Sequence, residues 1–278
     1  GRAFPRVFLM HLFRVLILLC VGIGLAHAAD DSLEVTVAGK SRAFTRAELE
    51  RSLTNHVITV DDPDHDQAVT YDAFALNDIL KLAGAEQGHG DELVFGARDG
   101  YAPTVAHALL ASHTAYVAWR EHGNPREWSA VKQGKAMVSP APYFLVWAEG
   151  ESLGAEFPWP YQLVRIEVVD FASKYTALYP HQVAADAAPM RGFRSFKTHC
   201  LRCHSVNLEG GDLGPELNIP KNVTEYWDAQ HLRAFIHDAT AYHAHSKMPS
   251  FVGVLTAADI DDLVSYLALM KTRKRALP

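Results

Sequence analysis

Cysteine is scarce in this chain and is distributed unevenly. The sequence has three cysteines among 278 residues, and none lies between Cys20 and Cys200. Three cysteines are too few for a small scaffold that is held together by disulfides. The gap also means that residues 21–199 contain no thiolate for catalysis or for metal binding.

Long apolar runs and an excess of basic charge are lacking as well. The apolar run over residues 15–25 is much shorter than the ~20 residues that a bilayer-spanning helix needs. The formal net charge of −6 disfavours nucleic-acid binding through a generally basic surface. With 49% hydrophobic and 21% charged residues, the composition is that of a folded protein and not of a disordered or collagen-like one. The length predicts one or two domains.

The N-terminal segment has the pattern of a secretory signal. Arg2, Arg6 and Arg14 precede the apolar run, and Ala26-His27-Ala28 follows it with the small residues of a signal peptidase site. The pattern predicts a signal peptide over residues 1–28. No Arg-Arg pair precedes the apolar run, which favours the general Sec route over the twin-arginine route. We therefore expect a periplasmic mature chain without a transmembrane segment.

The mature chain divides by charge. Residues 29–189 hold 12 Lys and Arg against 23 Asp and Glu, a net charge of −11, whereas residues 190–278 hold 11 against 9, a net charge of +2. Residues 173–189 contain two prolines and show no clear period, which is typical of a linker. The sequence therefore predicts an N-terminal domain over 29–172, a linker over 173–189 and a C-terminal domain over 190–278.

The C-terminal region contains the motif with the clearest chemistry. Cys200-Leu201-Arg202-Cys203-His204 has the spacing at which two thiols attach haem c and the adjacent histidine binds the iron. A zinc site and a redox-active cysteine pair are the alternatives. A zinc site would need two histidines about 12–15 residues after the cysteines, and a redox-active pair would need a surrounding βαβ pattern. The sequence has neither feature.

The surroundings of this motif favour haem. Gly192, Phe196, Cys200 and His204 recur at four-residue steps, so they share one face of a predicted helix. Farther along the chain, Met248 supplies a thioether, a soft ligand suited to haem iron. Together these features resemble class I cytochrome c over about residues 188–275. The matching residues are Gly192, Phe196, Cys200, Cys203, His204, Gly214, Pro215, Met248, Pro249 and Tyr266 in the last helix.

The resemblance implies an all-α domain with one covalent haem c. It implies that His204 and Met248 are the iron ligands and that the Pro215 carbonyl accepts the imidazole N–H of His204. His243 and His245 lie near Met248 in the sequence and are alternative sixth ligands. Trp227 is a candidate donor to a haem propionate through its indole N–H.

The N-terminal region alternates short strands and helices without a regular βαβ rhythm, which predicts an α+β domain. Strands are expected at 33–37, 57–60, 93–96, 115–119, 143–147 and 163–169, and helices from Thr45, over 74–82 and around 105–112. This order resembles a shortened molybdopterin-binding domain of the sulfite oxidase type. That family binds molybdenum through a protein cysteine thiolate, which residues 21–199 lack. Molybdopterin is therefore not expected, and the domain is expected to bind a small ligand or to dock a partner without catalysing a reaction.

These features together predict an electron-transfer protein and not an enzyme. The expected function is a periplasmic monohaem c-type cytochrome that carries electrons from a dehydrogenase to a downstream cytochrome or oxidase. The alternative is a haem-containing molybdenum oxidoreductase of the sulfite-oxidising class.

Overall fold

The structure, a computed structural model, describes Gly1 and residues 31–65, 67–85, 89–133, 135–150 and 153–276. Except for Gly1, the predicted signal peptide lies outside these residues and stays a prediction. Over these ranges, none of the helices is long and apolar enough to cross a membrane.

Two larger β-sheets and a two-stranded hairpin make up the sheet structure of the N-terminal region. Its strands are β1 (Ser32–Val37), β2 (Lys40–Thr45), β3 (His56–Asp62), β4 (Gln67–Ala75), β5 (Glu92–Ala97), β6 (Thr104–Ala106), β7 (Ala115–Glu121), β8 (Val131–Gln133), β9 (Ala136–Val138), β10 (Phe144–Trp147) and β11 (Leu163–Val169). Its helices are α1 (Arg46–Ser52) and α2 (Leu76–Leu82).

The first sheet has the order β2-β1-β11-β5-β6, and the second has the order β10-β7-β4-β3. β1 and β11 are parallel, and the other neighbours in these two sheets are antiparallel. The strands β8 and β9 form the hairpin. Leu33, Val35 and Val37 alternate along β1 and are buried, as expected of a strand with one face on the core. Buried side chains of both sheets belong to one hydrophobic cluster, so the sheets share a core.

Most of the predicted N-terminal elements are present. α1 begins after Thr45 with a capping box, in which Thr45 and Glu48 bond each other's backbone N–H groups. The predicted helix over 74–82 begins only at Leu76, because Phe74 lies in β4 and pairs with Val117 of β7. The predicted helix around 105–112 is present only as a 3-10 helix over His107–Ala111. Its expected start, Val105, lies in β6 and pairs with Leu93 of β5.

The C-terminal region is mainly helical. Its helices are α3 (Phe171–Lys174), α4 (Ala188–His199), α5 (Ala229–His237) and α6 (Ala257–Met270), and a small ladder joins β12 (Ser205–Val206) to β13 (Glu209–Gly210). The prediction of helices is thus met, and the ladder is the departure from an all-α domain. α6 begins with a capping box between Thr256 and Asp259.

α4 and α6 cross at close range, and Gly192 allows this approach. A Cβ on Gly192 would lie 1.9 Å from the carbonyl oxygen of Asp262. Phe193 and Phe196 of α4 pack on the ring of Tyr266 in α6, at centroid distances of 5.7 and 5.3 Å. The crossing of the two helices therefore determines where the C-terminal end of α4 lies.

The two regions are in direct contact. The backbone N–H of Ala102 donates to the carbonyl of Arg202 at 2.7 Å, and that of Asp212 donates to the carbonyl of Gly100 at 3.1 Å. Between these regions, residues 173–189 contribute Tyr175 and Leu178 to the C-terminal core. The loop after β5 thus rests on the turn that carries the cysteine motif.

Candidate functional site

The cysteine motif forms one turn at the end of α4. Cys200 is the C-terminal cap of this helix, and its N–H donates to the Phe196 carbonyl at 2.8 Å. The Cys200 carbonyl then accepts the N–H groups of Cys203 at 3.0 Å and His204 at 2.9 Å. Both cysteines are free thiols. A single turn therefore brings two thiols and one imidazole to the same place.

The His204 ring is held in one orientation. Its Nδ1 lies 2.9 Å from the Pro215 carbonyl oxygen, which can only accept, so Nδ1 carries the proton and the lone pair remains on Nε2. A Cβ on Gly214 would lie 2.6 Å from the ring, so glycine is needed for this loop to pack against the imidazole. Burial lowers the pKa of His204, which favours the neutral form that binds metals.

A chain of buried asparagines supports the loop after His204. The Asn218 amide donates to Asn207 Oδ1 at 2.8 Å, and the Asn222 amide donates to Asn218 Oδ1 at 2.7 Å and to the Leu267 carbonyl at 2.9 Å. All three asparagines have no exposed surface. Glu216 accepts the backbone N–H groups of Asn207 and Asn218. No periodic pattern in the sequence indicates this network, because its members are separated in the chain and meet only in the fold.

A cavity of about 380 Å³ opens beside this turn. Its lining includes all the proposed haem residues, namely Cys200, Cys203, His204, Pro215, Trp227 and Met248. Apolar side chains such as Phe196, Leu232 and Ile236 complete the walls. We call this space the haem cavity. Its volume lies within the usual range of cofactor pockets, ~300–1,000 Å³.

Met248 lines the haem cavity, and the two alternative histidines do not. Met248 is partly buried, and its backbone N–H donates to Ser246 Oγ at 3.1 Å. His243 and His245 are exposed and do not belong to the cavity lining. The fold thus places the thioether, and neither imidazole, at the wall of the cavity.

The residues present fit haem c. The cavity combines two thiols, a neutral imidazole and a thioether within apolar walls, which are the groups that attach and ligate a haem. Burial raises the pKa of Cys200 to about 12 and that of Cys203 to about 11, so both remain thiols at neutral pH. Nowhere in the described ranges do three or more His, Cys, Asp or Glu side chains meet in a group that could hold a metal ion, and the zinc alternative gains no support.

Trp227 lies just before the N-terminus of α5 and packs on aromatic neighbours. Its ring contacts those of His231 and Phe235 at a centroid distance of 4.8 Å in each case. It is half-buried and lines the haem cavity. The structure therefore places Trp227 beside the site, and its bond to a propionate stays a prediction.

Comparison with known proteins agrees with this geometry. Residues 187–267 match the family described as cytochrome C oxidase, cbb3-type, subunit III. A cytochrome c homolog of Rickettsia prowazekii (strain Madrid E) is 36% identical over 92 residues, which cover 27% of this chain and 52% of the relative. The chain thus spans about half the length of this relative.

Two shorter cytochromes are covered almost completely. Cytochrome c of Theileria annulata is 28% identical over 106 residues, covering 32% of this chain and 90% of the relative. Cytochrome c of Kluyveromyces lactis is 31% identical over 97 residues, covering 28% of this chain and 86% of the relative. The similarity, the cysteine motif and the haem cavity coincide in the C-terminal region, and this chain belongs to the cytochrome c family of haem-binding electron carriers.

Proposed function

We propose that this chain is an exported monohaem cytochrome that passes electrons from a dehydrogenase to a downstream cytochrome or oxidase. Cys200 and Cys203 attach the haem covalently, and His204 and Met248 ligate its iron. The observation that carries the proposal is the haem cavity, because it unites these four side chains from two distant segments of the chain.

The haem supplies an iron that gains and loses one electron. The chain's own residues determine how that electron moves. The Pro215 carbonyl keeps the proton on Nδ1 of His204 and so presents Nε2 to the cavity. With His204 and Met248 both assigned to the iron, a bound haem would leave no place for a substrate at the metal and would supply outer-sphere electron transfer. The apolar walls would limit the access of water to a bound haem.

Residues 29–172 are proposed to be a non-catalytic accessory domain related to the molybdopterin-binding fold of sulfite oxidases. The support is the order of its strands and helices, together with the absence of cysteine from residues 21–199. The domain binds a small ligand or docks a partner. Metal analysis of the purified protein tests this assignment, because stoichiometric molybdenum would overturn it.

Haem attachment is tested on the purified full-length protein. We expect one c-type haem per chain in the pyridine haemochrome spectrum, and a haem that stays with the polypeptide after acid–acetone extraction. Cys200→Ala and Cys203→Ala should each reduce attachment. A protein without c-type absorption bands would overturn the proposed function.

The sixth ligand is tested with two matched methionine variants. Met248→Leu should remove the far-red sulfur-to-iron charge-transfer band of the ferric protein. Met270→Leu should leave the band in place, because Met270 is buried in the helix core and does not line the haem cavity. If Met248→Leu retains the band, then Met248 is not the ligand. A wild-type ferric protein that lacks this band, and whose absorption spectrum changes in His243→Ala or His245→Ala, would instead assign one of those histidines.

Export is tested by sequencing the N-terminus of the protein from a periplasmic extract. A signal peptide over residues 1–28 predicts that the mature protein begins at Ala29. An intact N-terminus on the active protein would contradict the proposal.

A further inference from the structure

A second cavity, of about 540 Å³, lies between the two regions of the chain. We call it the interdomain cavity. Its N-terminal wall includes Tyr101, Trp159 and Tyr161, and its C-terminal wall includes Arg202 and Lys247. Its volume is in the range of ~300–1,000 Å³ that is typical of small-molecule sites. A site of this kind is common where two domains meet.

The interdomain cavity adjoins the haem cavity. Cys203, Leu213, Lys247 and Pro249 belong to the linings of both. Cys203 is one of the two proposed attachment points of the haem, so a molecule in the interdomain cavity lies against the segment that carries this cofactor. The N-terminal region thereby covers one side of the segment that contains Cys203 and leaves the interdomain cavity there.

The aromatic side chains make one wall suited to a planar ring. Trp159 and Tyr161 both contact Phe144 of the N-terminal core, at centroid distances of 6.1 and 6.2 Å, and both line the cavity. Tyr101 is held by Arg202, whose Nη1 donates to the tyrosine hydroxyl at 3.3 Å. Aromatic rings fixed in this way favour a bound ring through edge-to-face or offset stacking.

The charged groups favour an anion. Lys132, Arg202 and Lys247 line the cavity, against the two carboxylates Asp64 and Asp99. Both oxygens of Asp99 are already acceptors, from the Tyr101 N–H at 3.0 Å and from the Gln133 amide at 2.7 Å. Arg202 donates to carbonyl oxygens and to Tyr101, so its charge is not neutralised by a carboxylate in these bonds.

We infer that the interdomain cavity is a binding site for a small aromatic carboxylate, whose ring packs on Tyr161 and Trp159 and whose carboxylate faces Lys132 and Lys247. This inference rests on the proposed attachment of haem at Cys203. It places the ligand of the accessory domain where ligand binding and the oxidation state of the haem affect each other.

The sign of this coupling follows from charge. A bound anion stabilises the ferric haem, which carries one more positive charge than the ferrous haem. By thermodynamic reciprocity, the ligand then binds the ferric protein more tightly and lowers the midpoint potential. We expect about tenfold tighter binding to the ferric form, within the usual range of coupling between two sites. A tenfold ratio corresponds to a fall of about 59 mV for a one-electron couple.

The experiment uses the haem-loaded full chain and 4-hydroxybenzoate as the probe. Its dissociation constant is measured by calorimetry for the ferric and ferrous proteins, and the midpoint potential is measured with and without the probe. Cyclohexanecarboxylate keeps the charge and lacks the aromatic ring, whereas phenol keeps the ring and lacks the charge. Both should bind at least about fivefold more weakly, a ratio equal to the loss of one aromatic pair for cyclohexanecarboxylate and of one ordinary polar contact for phenol.

Variants of the wall provide the matched test. Tyr161→Leu, which removes the ring on which the ligand packs, and Lys132→Gln should each weaken binding of 4-hydroxybenzoate by about threefold to fivefold. Lys135→Gln is the control for Lys132→Gln, because this exposed lysine lies in the same β8–β9 hairpin and does not line the cavity. Circular dichroism checks that all three variants are folded.

The outcomes separate this inference from the proposed function. Binding that prefers the ferric form and is weakened by both wall variants supports the inference. A normal c-type spectrum without binding of 4-hydroxybenzoate overturns the inference alone, and so does binding that is equally tight for cyclohexanecarboxylate or unchanged in both wall variants. Absence of c-type haem overturns the proposed function.

Discussion

The crossing of α4 and α6 gives the sharpest test of how the fold positions the haem segment. Gly192 lies in the middle of α4, where a Cβ would stand 1.9 Å from the carbonyl oxygen and 2.4 Å from the carbonyl carbon of Asp262. Both are backbone atoms of α6, so no side-chain rotation can relieve the overlap. Gly192→Ala is therefore expected to push the two helices apart.

The magnitude follows from two opposing effects. Alanine gains about 1 kcal/mol over glycine from its intrinsic preference for the helix. Overpacking a core commonly costs about 1–3 kcal/mol and costs more when the neighbouring atoms cannot move. Because the clash is with backbone, we expect the cost to reach about 3 kcal/mol, which leaves a net loss of about 2 kcal/mol. For a domain of this size, that loss lowers Tm by roughly 8–16 °C.

The assay is urea unfolding of the haem-loaded protein, followed by circular dichroism and by the Soret band. Ser195→Ala is the control, because it introduces the same residue into the same helix at a partly exposed position. It should change the free energy of unfolding by less than about 0.7 kcal/mol. A Gly192→Ala protein as stable as the wild type would refute the argument that this glycine is required by the helix contact.

Three further predictions concern other contacts. Lys197 forms an ion pair with the buried carboxylate of Glu92 across the two regions. Lys197→Met should lower the free energy of unfolding by about 1–3 kcal/mol in thermal unfolding, and adding Glu92→Gln should recover most of this loss. No recovery in the double variant would show that the two residues are not coupled. The Asp62 carboxylate, 3.1 Å from Nδ1 of His65, raises the pKa of that histidine. Above about pH 6.5 the unfolded state loses this proton while the folded state keeps it, so stability falls as the pH rises through the raised pKa. His65→Gln should flatten this pH dependence in unfolding measurements above about pH 6.5, and an unchanged slope would disprove the assignment. Asn218→Ala leaves buried polar partners unsatisfied and should cost about 1–3 kcal/mol in urea unfolding; a neutral effect would show that the asparagine chain does not stabilise the loop.

The sequence was most informative where a short segment contains all its own signals. The spacing of Cys200, Cys203 and His204 identifies the chemistry without any knowledge of the fold, because one turn is enough to bring these groups together. The N-terminal caps of α1 and α6 could likewise be predicted from the sequence, because a capping box is made by residues three positions apart.

The errors arose where tertiary contacts override local preference. The segment around Val105 has helical composition, yet Val105 pairs with Leu93 at the edge of the first sheet. The start of α2 was placed two residues too early, because the pairing of Phe74 with Val117 in β7 cannot be read from the local pattern. Strand preference in particular depends on which neighbours a segment meets.

The sequence by itself predicted haem attachment at Cys200 and Cys203 and excluded a cysteine-bound metal from residues 21–199. Both conclusions depend on residue types and on their spacing along the chain, and these are independent of the fold. Only the tertiary structure decided that Met248 lines the haem cavity while His243 and His245 lie outside it. It also decided that the interdomain cavity lies between Cys203 and Tyr161. These features join residues that are far apart in the chain, so they exist only once the two regions have folded against each other.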